Sequence, residues 1–115
     1  MHTIKVSELT GSALDWAVSK CEGIPLEAPD YIWNPFGRFN NQYSTSWAQG
    51  GPIIERENIL LNPQYPWWAS TMRHIAAPNT NSLIYTGPTP LVAAMRCYVA
   101  SKLGDEVEIP EELLK

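Results

Sequence analysis

The sequence has few of the residues on which catalytic, metal-binding and disulfide-stabilised proteins depend. Only two of its 115 residues are cysteine and two are histidine, and none of them stands at a ligand spacing such as CxxC or CxxH. No catalytic signature occurs either, so we expect no enzymatic activity, no metal and no cofactor. Cys21 and Cys97 are typical of small buried apolar residues in a reducing cytoplasm, and a disulfide between them would require the two helices that carry them to touch.

Long apolar runs and basic residues are scarce as well. The N-terminus has no apolar core of a signal peptide and no window approaches roughly 18 apolar residues, which predicts a cytoplasmic protein without a membrane span. Eight Lys and Arg stand against twelve Asp and Glu, for a net charge of -4, which argues against binding of long nucleic acid. Residues 31–90 nevertheless carry three arginines against two glutamates, and this slightly basic middle suits a small anionic ligand.

The first of two helical patterns lies near the N-terminus. Residues 12–23 repeat apolar side chains at i, i+3, i+4 and i+7, and Gly23 is typical of a helix end. Ser12 and Asp15 have the spacing of a capping box, although Asp is a weaker partner than Glu. Trp16 falls outside the apolar stripe, and we expect it at the edge of the core in preference to a partner-binding surface.

The second helical pattern is the clearest in the chain. Thr89 is a good N-cap, Pro90 occupies the first helical position, and Gly104 provides the stop. An apolar stripe runs between them. After the helix, Val107 and Ile109 alternate with acids, which predicts a short edge strand or an extended tail.

Residues 24–87, between the two helices, contain ten of the twelve aromatic residues and most of the ten prolines. Such a long loop-rich stretch is usually functional or disordered, and its aromatic content argues against disorder. Short strands are predicted at 3–6, within 52–61 and at 83–86. We therefore expect a single domain spanning residues 1–115, of class α+β, with one small antiparallel sheet packed by two helices.

The stretch "YSTSWAQGGPIIERE" (43–57) allows two interpretations. Its Gly-Gly-Pro is typical of a turn that leads into a strand, with Trp47 covering the core. Alternatively the glycines let backbone approach a ligand, the aromatic rings offer flat surfaces for a base or ring, and a polar side chain binds a polar edge or a phosphate of that ligand. On the second interpretation the ligand-binding residues are Tyr43, Trp47, Gln49, Gly50, Gly51 and Arg56, together with Arg38, Trp67 and Arg96 from elsewhere in the chain.

Three segments together resemble the NinX-like family of small phage and prophage proteins, a domain of unknown function. They are "TIKVSELTGSALDWAVSKCEG", "YSTSWAQGGPIIERE" and "GPTPLVAAMRCYVASKLGDEVEIPEELL", which cover over half the chain. The resemblance implies a phage origin and brings no established chemistry.

Phage origin suggests an analogy with compact oligomeric proteins that sequester nucleotide-derived immune signals of the host. Stacking aromatics, a few arginines and glycine-lined backbone fit such a ligand. The leading hypothesis is a cytoplasmic, homo-oligomeric sponge for a small anionic, nucleotide-like molecule. The alternative hypothesis is a module that docks a host or phage replication or recombination factor through exposed tryptophans and the acidic tail.

Overall fold

The computed structural model describes residues 2–23, 42–63, 66–71 and 84–110. Within these ranges three α-helices and two small antiparallel sheets form the fold, which confirms the predicted α+β class. A 3₁₀ turn at Val6–Glu8 joins the first strand to the first helix. The elements in chain order are β1 (His2–Lys5), α1 (Gly11–Cys21), α2 (Trp47–Glu57), β2 (Ile59–Asn62), β3 (Trp67–Thr71), β4 (Tyr85–Gly87), α3 (Pro90–Leu103) and β5 (Glu106–Ile109).

The strands form two sheets, so the prediction of one sheet was wrong. β1 pairs antiparallel with β5, with Ile4 opposite Val107, whereas β2, β3 and β4 form a separate three-stranded sheet. The prediction of β5 as a strand is confirmed, and its alternate residues Val107 and Ile109 are buried. β5 reaches β1 because Gly104, at a φ of 92°, ends α3 and turns the chain back.

The helix α3 is the centre of the fold. Its predicted boundaries are confirmed: the Thr89 side chain accepts a hydrogen bond from the backbone N–H of Val92 at 3.1 Å, Pro90 opens the helix, and Gly104 follows its last turn. The prediction of a single apolar stripe was too narrow, because nine of its fourteen residues are buried. Sheets and helices cover α3 on several sides, and the alanines of the helix allow them to approach closely.

The stretch 47–57 is a helix, α2, so the predicted Gly-Gly-Pro turn into a strand was wrong. The strand predicted within 52–61 is confirmed only in part, because α2 continues to Glu57 and only Ile59–Asn62 is extended. Asn58 adopts a left-handed conformation, with φ 54°, which separates the helix from the strand. Two glycines and Pro52 oppose a helix locally, since Pro52 cannot donate to the carbonyl of Ala48. Packing of the buried face of α2 overrides that preference.

Asp15 does not form the predicted capping box. The helix α1 begins at Gly11 with Thr10 as N-cap, and no side chain caps it. Asp15 therefore stands in the second turn, where its carboxylate cannot reach back to the first backbone N–H. It is buried instead and accepts a hydrogen bond from the backbone N–H of Ser44 at 2.8 Å. Trp16 is buried, which confirms its predicted place in the core.

Both cysteines lie in the predicted helices, Cys97 buried and Cys21 half-buried, and no disulfide joins them. The adjacent residues Trp67 and Trp68 of β3 are both half-buried, and Trp67 packs against the core.

Candidate functional site

The segment 42–46 is a turn that joins α1 to α2. The backbone N–H of Ser44 donates to the Asp15 carboxylate of α1, and the backbone N–H of Gln42 donates to the Gln49 side-chain oxygen of α2 at 2.8 Å. The Tyr43 ring packs against the core while its hydroxyl hydrogen-bonds the Ser19 side chain. Burial raises the pKa of Tyr43, and the nearby Glu22 carboxylate raises it further. This turn is therefore a packed structural joint.

Gly50 allows α2 to lie against this turn. A Cβ at Gly50 would stand 2.7 Å from Cδ2 of Leu91 on α3, and closer still to the carbonyl oxygen of Tyr43. Both distances are shorter than van der Waals contact. The group that lies closest to Gly50 is thus the chain's own backbone, and the predicted approach of this glycine to a ligand stays a prediction.

The opposite side of α2 is exposed and nearly free of charge. We call it the α2 face, and it consists of Trp47, Ala48, Gly51, Pro52 and Glu55. The Trp47 side chain is 55% exposed, and Gly51 leaves the space beside its ring open, since a Cβ there would stand 3.8 Å from Cε3 of Trp47. Glu55 is the one charged member of the face. The α2 face is therefore a largely apolar surface about two turns long with one projecting indole and one carboxylate.

Arg56 belongs to a charged network on another side of α2. Its guanidinium donates to the two carboxylate oxygens of Glu22, at 3.2 and 2.7 Å, and to the Tyr98 hydroxyl at 3.1 Å. Its Nε donates to Glu57 at 3.0 Å, and Lys102 pairs with the same carboxylate at 3.3 Å. The Tyr98 hydroxyl also hydrogen-bonds Glu22. This network links the C-terminal ends of α1 and α2 to α3.

The electrostatics of the network follow from these contacts. The hydrogen bonds from Arg56 hold the pKa of Glu22 below its ordinary value, against the opposing effect of partial burial. The Glu22 carboxylate in turn raises the pKa of Arg56. Burial raises the pKa of Tyr98, and its hydrogen bond to Glu22 adds to that effect. At neutral pH Glu22 and Arg56 are thus an ion pair beside a neutral phenol, and Glu57 and Lys102 extend the network.

Arg96 also holds parts of the chain together. Its Nε donates to the carbonyl of Leu9 at 2.7 Å and its Nη1 to the carbonyl of Thr86. Burial lowers the pKa of Arg96. Trp67 lies on β3, opposite Gly87 of β4. Arg38 lies outside the described residues.

A family model described as bacteriophage P22 NinX matches residues 5–102 of the chain. This chain belongs to the NinX family. The match confirms the resemblance seen in the three sequence segments and the phage origin that it implied. No curated protein matches the chain. Within the described part of this NinX chain, no helix is both long and apolar enough to cross a membrane.

The structure brings together only part of the site predicted for this NinX chain. Tyr43, Trp47, Gln49, Gly50 and Gly51 lie within the turn and the first half of α2. Arg56 follows Trp47 by nine residues, about two and a half helical turns, and so projects from the side of α2 opposite Trp47. Trp67 and Arg96 lie on other elements. Ligand binding by these residues stays a prediction.

Sequence reasoning missed the partners of these residues. Glu22, Tyr98 and Asp15 each hold a predicted site residue or its neighbour in place through contacts between distant parts of the chain. No local spacing relates Glu22 to Arg56, which is 34 residues away in sequence. A tyrosine on the stripe of α3 and an acid at the end of α1 are ordinary features of helices. Only the tertiary structure identifies them as one network.

Proposed function

We propose that this phage protein is a non-enzymatic docking module of the host cytoplasm, which binds another protein through the α2 face. The observation that carries the proposal is the 55% exposure of the Trp47 side chain in a face with one charge. Tryptophan is the residue most enriched among interface hot spots. An indole that projects from small neighbours is suited to enter a socket on a partner.

The free energy available from this contact is substantial. A tryptophan buries up to about 250 Å² of surface, and covering the exposed half at about 25 cal/mol per Å² would contribute on the order of 3 kcal/mol. Ala48, Gly51 and Pro52 add area without charged groups that need desolvation. Their small side chains allow a partner backbone to approach the helix.

The charges of the described residues indicate the chemistry of the partner. Glu55 ends the α2 face, and Glu106 and Glu108 are exposed on the edge strand β5. The whole chain has a net charge of -4. A partner with an apolar socket rimmed by basic side chains complements these features. A replication or recombination factor of the phage or host, which must itself bind nucleic acid, offers such a basic surface.

Capture of a nucleotide-like immune signal by a homo-oligomer is the second candidate. The exposed indole of Trp47 favours it, because a base could stack on that ring. Two of its predicted anion contacts are already engaged: Arg56 pairs with Glu22 and Glu57, and Arg96 donates to two backbone carbonyls. Docking through the α2 face needs none of these groups, and for that reason we place it first.

Site-specific crosslinking tests the docking function. A photoreactive phenylalanine analogue in place of Ala48 should crosslink, in phage-infected cells, to one discrete protein. Trp47→Ala should abolish that crosslink, whereas Leu60→Ala should preserve it, because Leu60 is exposed on β2 outside the α2 face. With the purified partner, Trp47→Ala should weaken binding about 100-fold, the equivalent of 3 kcal/mol.

Thermal unfolding with a panel of linear and cyclic nucleotides distinguishes nucleotide capture from docking. Capture predicts that a nucleotide raises the melting temperature, whereas a docking module should keep the same melting temperature with every nucleotide of the panel. A crosslink that persists in Trp47→Ala would refute the docking proposal. A nucleotide that raises the melting temperature of the wild type and not of Trp47→Ala would replace docking by capture.

A further inference from the structure

A cleft of about 440 Å³ lies away from the α2 face, where the ends of the two sheets meet. One wall comes from the end of β1 and the 3₁₀ turn, and another from the start of β4. The segment between α3 and β5 completes it. Its side chains include Lys5, Ser7, Ile84, Tyr85, Asp105 and Glu106. The volume is in the range of small-ligand sites.

Hydrogen bonds between distant segments fix the walls of this cleft. The backbone N–H of Val6 donates to the carbonyl of Asp105 at 2.7 Å, which joins the end of β1 to the start of β5. Arg96 holds the carbonyl of Thr86 in β4 together with that of Leu9. The Tyr85 hydroxyl lies 3.3 Å from Oδ1 of Asp105. The cleft is thus formed by the fold itself, so a ligand would not have to organise it.

The polar groups of the cleft favour a positively charged ligand. Two carboxylates, of Asp105 and Glu106, face one ammonium, of Lys5, which is opposite Glu106 in the register of β1 and β5. Burial and the Asp105 carboxylate raise the pKa of Tyr85 to about 12, so its phenol stays a neutral hydrogen-bonding group at physiological pH. A concave site with an excess of one sign of charge concentrates ligands of the opposite sign.

The apolar part of the cleft defines the rest of the ligand. The Ile84 side chain is 49% exposed at the cleft, and the Tyr85 ring packs against the core behind it. An aliphatic stem could cover Ile84 while a cationic head group reaches Asp105. A strongly anionic ligand would be repelled by the two carboxylates.

We propose that this cleft binds a small aliphatic organic cation, with an ammonium or guanidinium at Asp105 and Glu106 and its stem on Ile84. The proposal does not depend on docking through the α2 face, which lies on a different element. Such a ligand could be a free polyamine or a basic side chain presented by a peptide, since both carry the same head group.

Chemical-shift titration of the ¹⁵N-labelled full chain tests the proposal. Agmatine carries a guanidinium and an ammonium on a four-carbon stem, 1,4-butanediol has the same stem without charge, and AMP is an anion. A short acetylated lysine-amide peptide distinguishes a presented side chain from the free amine. Agmatine should shift the amide signals of residues 84–86 and 105–106, and the diol and AMP should not.

Variants make the test specific. Asp105→Asn keeps an oxygen that accepts from Tyr85, so the fold should persist while agmatine affinity falls about tenfold. Glu106→Gln should also weaken binding, whereas Glu108→Gln removes another exposed charge of β5 that is not among the residues lining the cleft and should leave affinity unchanged. Circular dichroism verifies the fold of each variant.

The outcomes separate cleanly. Shifts confined to the cleft and weakened by Asp105→Asn but not by Glu108→Gln would support the proposal. Equal affinity in Asp105→Asn and wild type, shifts elsewhere on the surface, or binding of AMP in place of agmatine would overturn it. The absence of any agmatine shift at millimolar concentration would overturn it as well.

Discussion

Two adjacent glycines of α2 should respond in opposite directions to the same substitution. Gly50 faces the core, where an added Cβ would meet Leu91 at 2.7 Å and the carbonyl oxygen of Tyr43 at a shorter distance. Gly51 faces outward, where the nearest atom would be Cε3 of Trp47 at 3.8 Å, an ordinary contact. Both positions are helical, but alanine gains less helix propensity at Gly51, because the ring of the following Pro52 disfavours the helical conformation of a residue with a Cβ before it. A difference of opposite sign between the variants therefore reports on the packing of the turn against α2.

The magnitudes follow from these distances. Gly51→Ala should stabilise the protein by at most about 0.5 kcal/mol, because Pro52 offsets part of the usual gain of alanine over glycine inside a helix. Gly50→Ala has the full gain of about 0.5–1 kcal/mol but forces the carbonyl of Tyr43 away, and that carbonyl cannot move freely because Ser44 is bonded to buried Asp15. Overpacking of this kind costs about 1–3 kcal/mol, and loss of the bond at Asp15 adds about 1–3 kcal/mol. Gly50→Ala should therefore destabilise the protein by about 1–5 kcal/mol overall.

Chemical denaturation measures this difference directly. Urea unfolding followed by tryptophan fluorescence should give one cooperative transition, as expected of the single domain proposed for residues 1–115, with a higher midpoint for Gly51→Ala and a lower one for Gly50→Ala. The double variant should unfold close to Gly50→Ala. Equal midpoints for the two single variants would refute the contact of α2 with the turn 42–46. A Gly50→Ala variant more stable than the wild type would also contradict the position of the turn 42–46 in the structure.

Two further predictions concern charge and thiol chemistry. Arg56 lowers the pKa of Glu22 below 4.5, so the stability from this pair is present above pH 4.5 and is lost as the pH falls through the lowered pKa of the folded state. Arg56→Met should therefore cost about 1 kcal/mol of unfolding free energy at pH 7 and progressively less in acid. A difference between the urea midpoints of variant and wild type that does not change with pH would contradict this. Burial and the Glu22 carboxylate raise the pKa of Cys21 from 9.0 to about 11, so iodoacetamide at pH 8 should alkylate Cys21 about 100-fold more slowly than an ordinary thiol. Equal alkylation rates in native and urea-unfolded protein, measured by mass spectrometry, would contradict the burial of Cys21.

Local signals made the second half of the fold predictable. Thr89, Pro90 and Gly104 mark the ends of α3 through their own backbone preferences, and the alternation of Val107 and Ile109 indicates a strand with one buried face. Each of these features depends on a few neighbouring residues. The ends of α3 and the strand β5 can therefore be predicted from short windows of the sequence.

Long-range contacts decided what the sequence could not predict. The helix α2 contains two glycines and a proline, and it forms because Gly50 and Ile53 pack against the rest of the core. Likewise the guanidinium of Arg56, expected to bind a ligand, has its partner Glu22 in a different helix. Both the helix and the ion pair depend on residues brought close by folding. The predicted ligand-binding role of Arg56 would require a ligand to compete with this pair.

The central position of α3 affects how the polypeptide is made. During synthesis α1, α2 and β2–β4 leave the ribosome before α3, the helix on which they all pack. β1 cannot form its sheet until β5 has been translated, because β5 is its only sheet neighbour among the described strands. None of these early segments can bury its apolar side on its own. The core around α3 can therefore form only after α3 has been translated, and until then the nascent chain offers its apolar surfaces to chaperones.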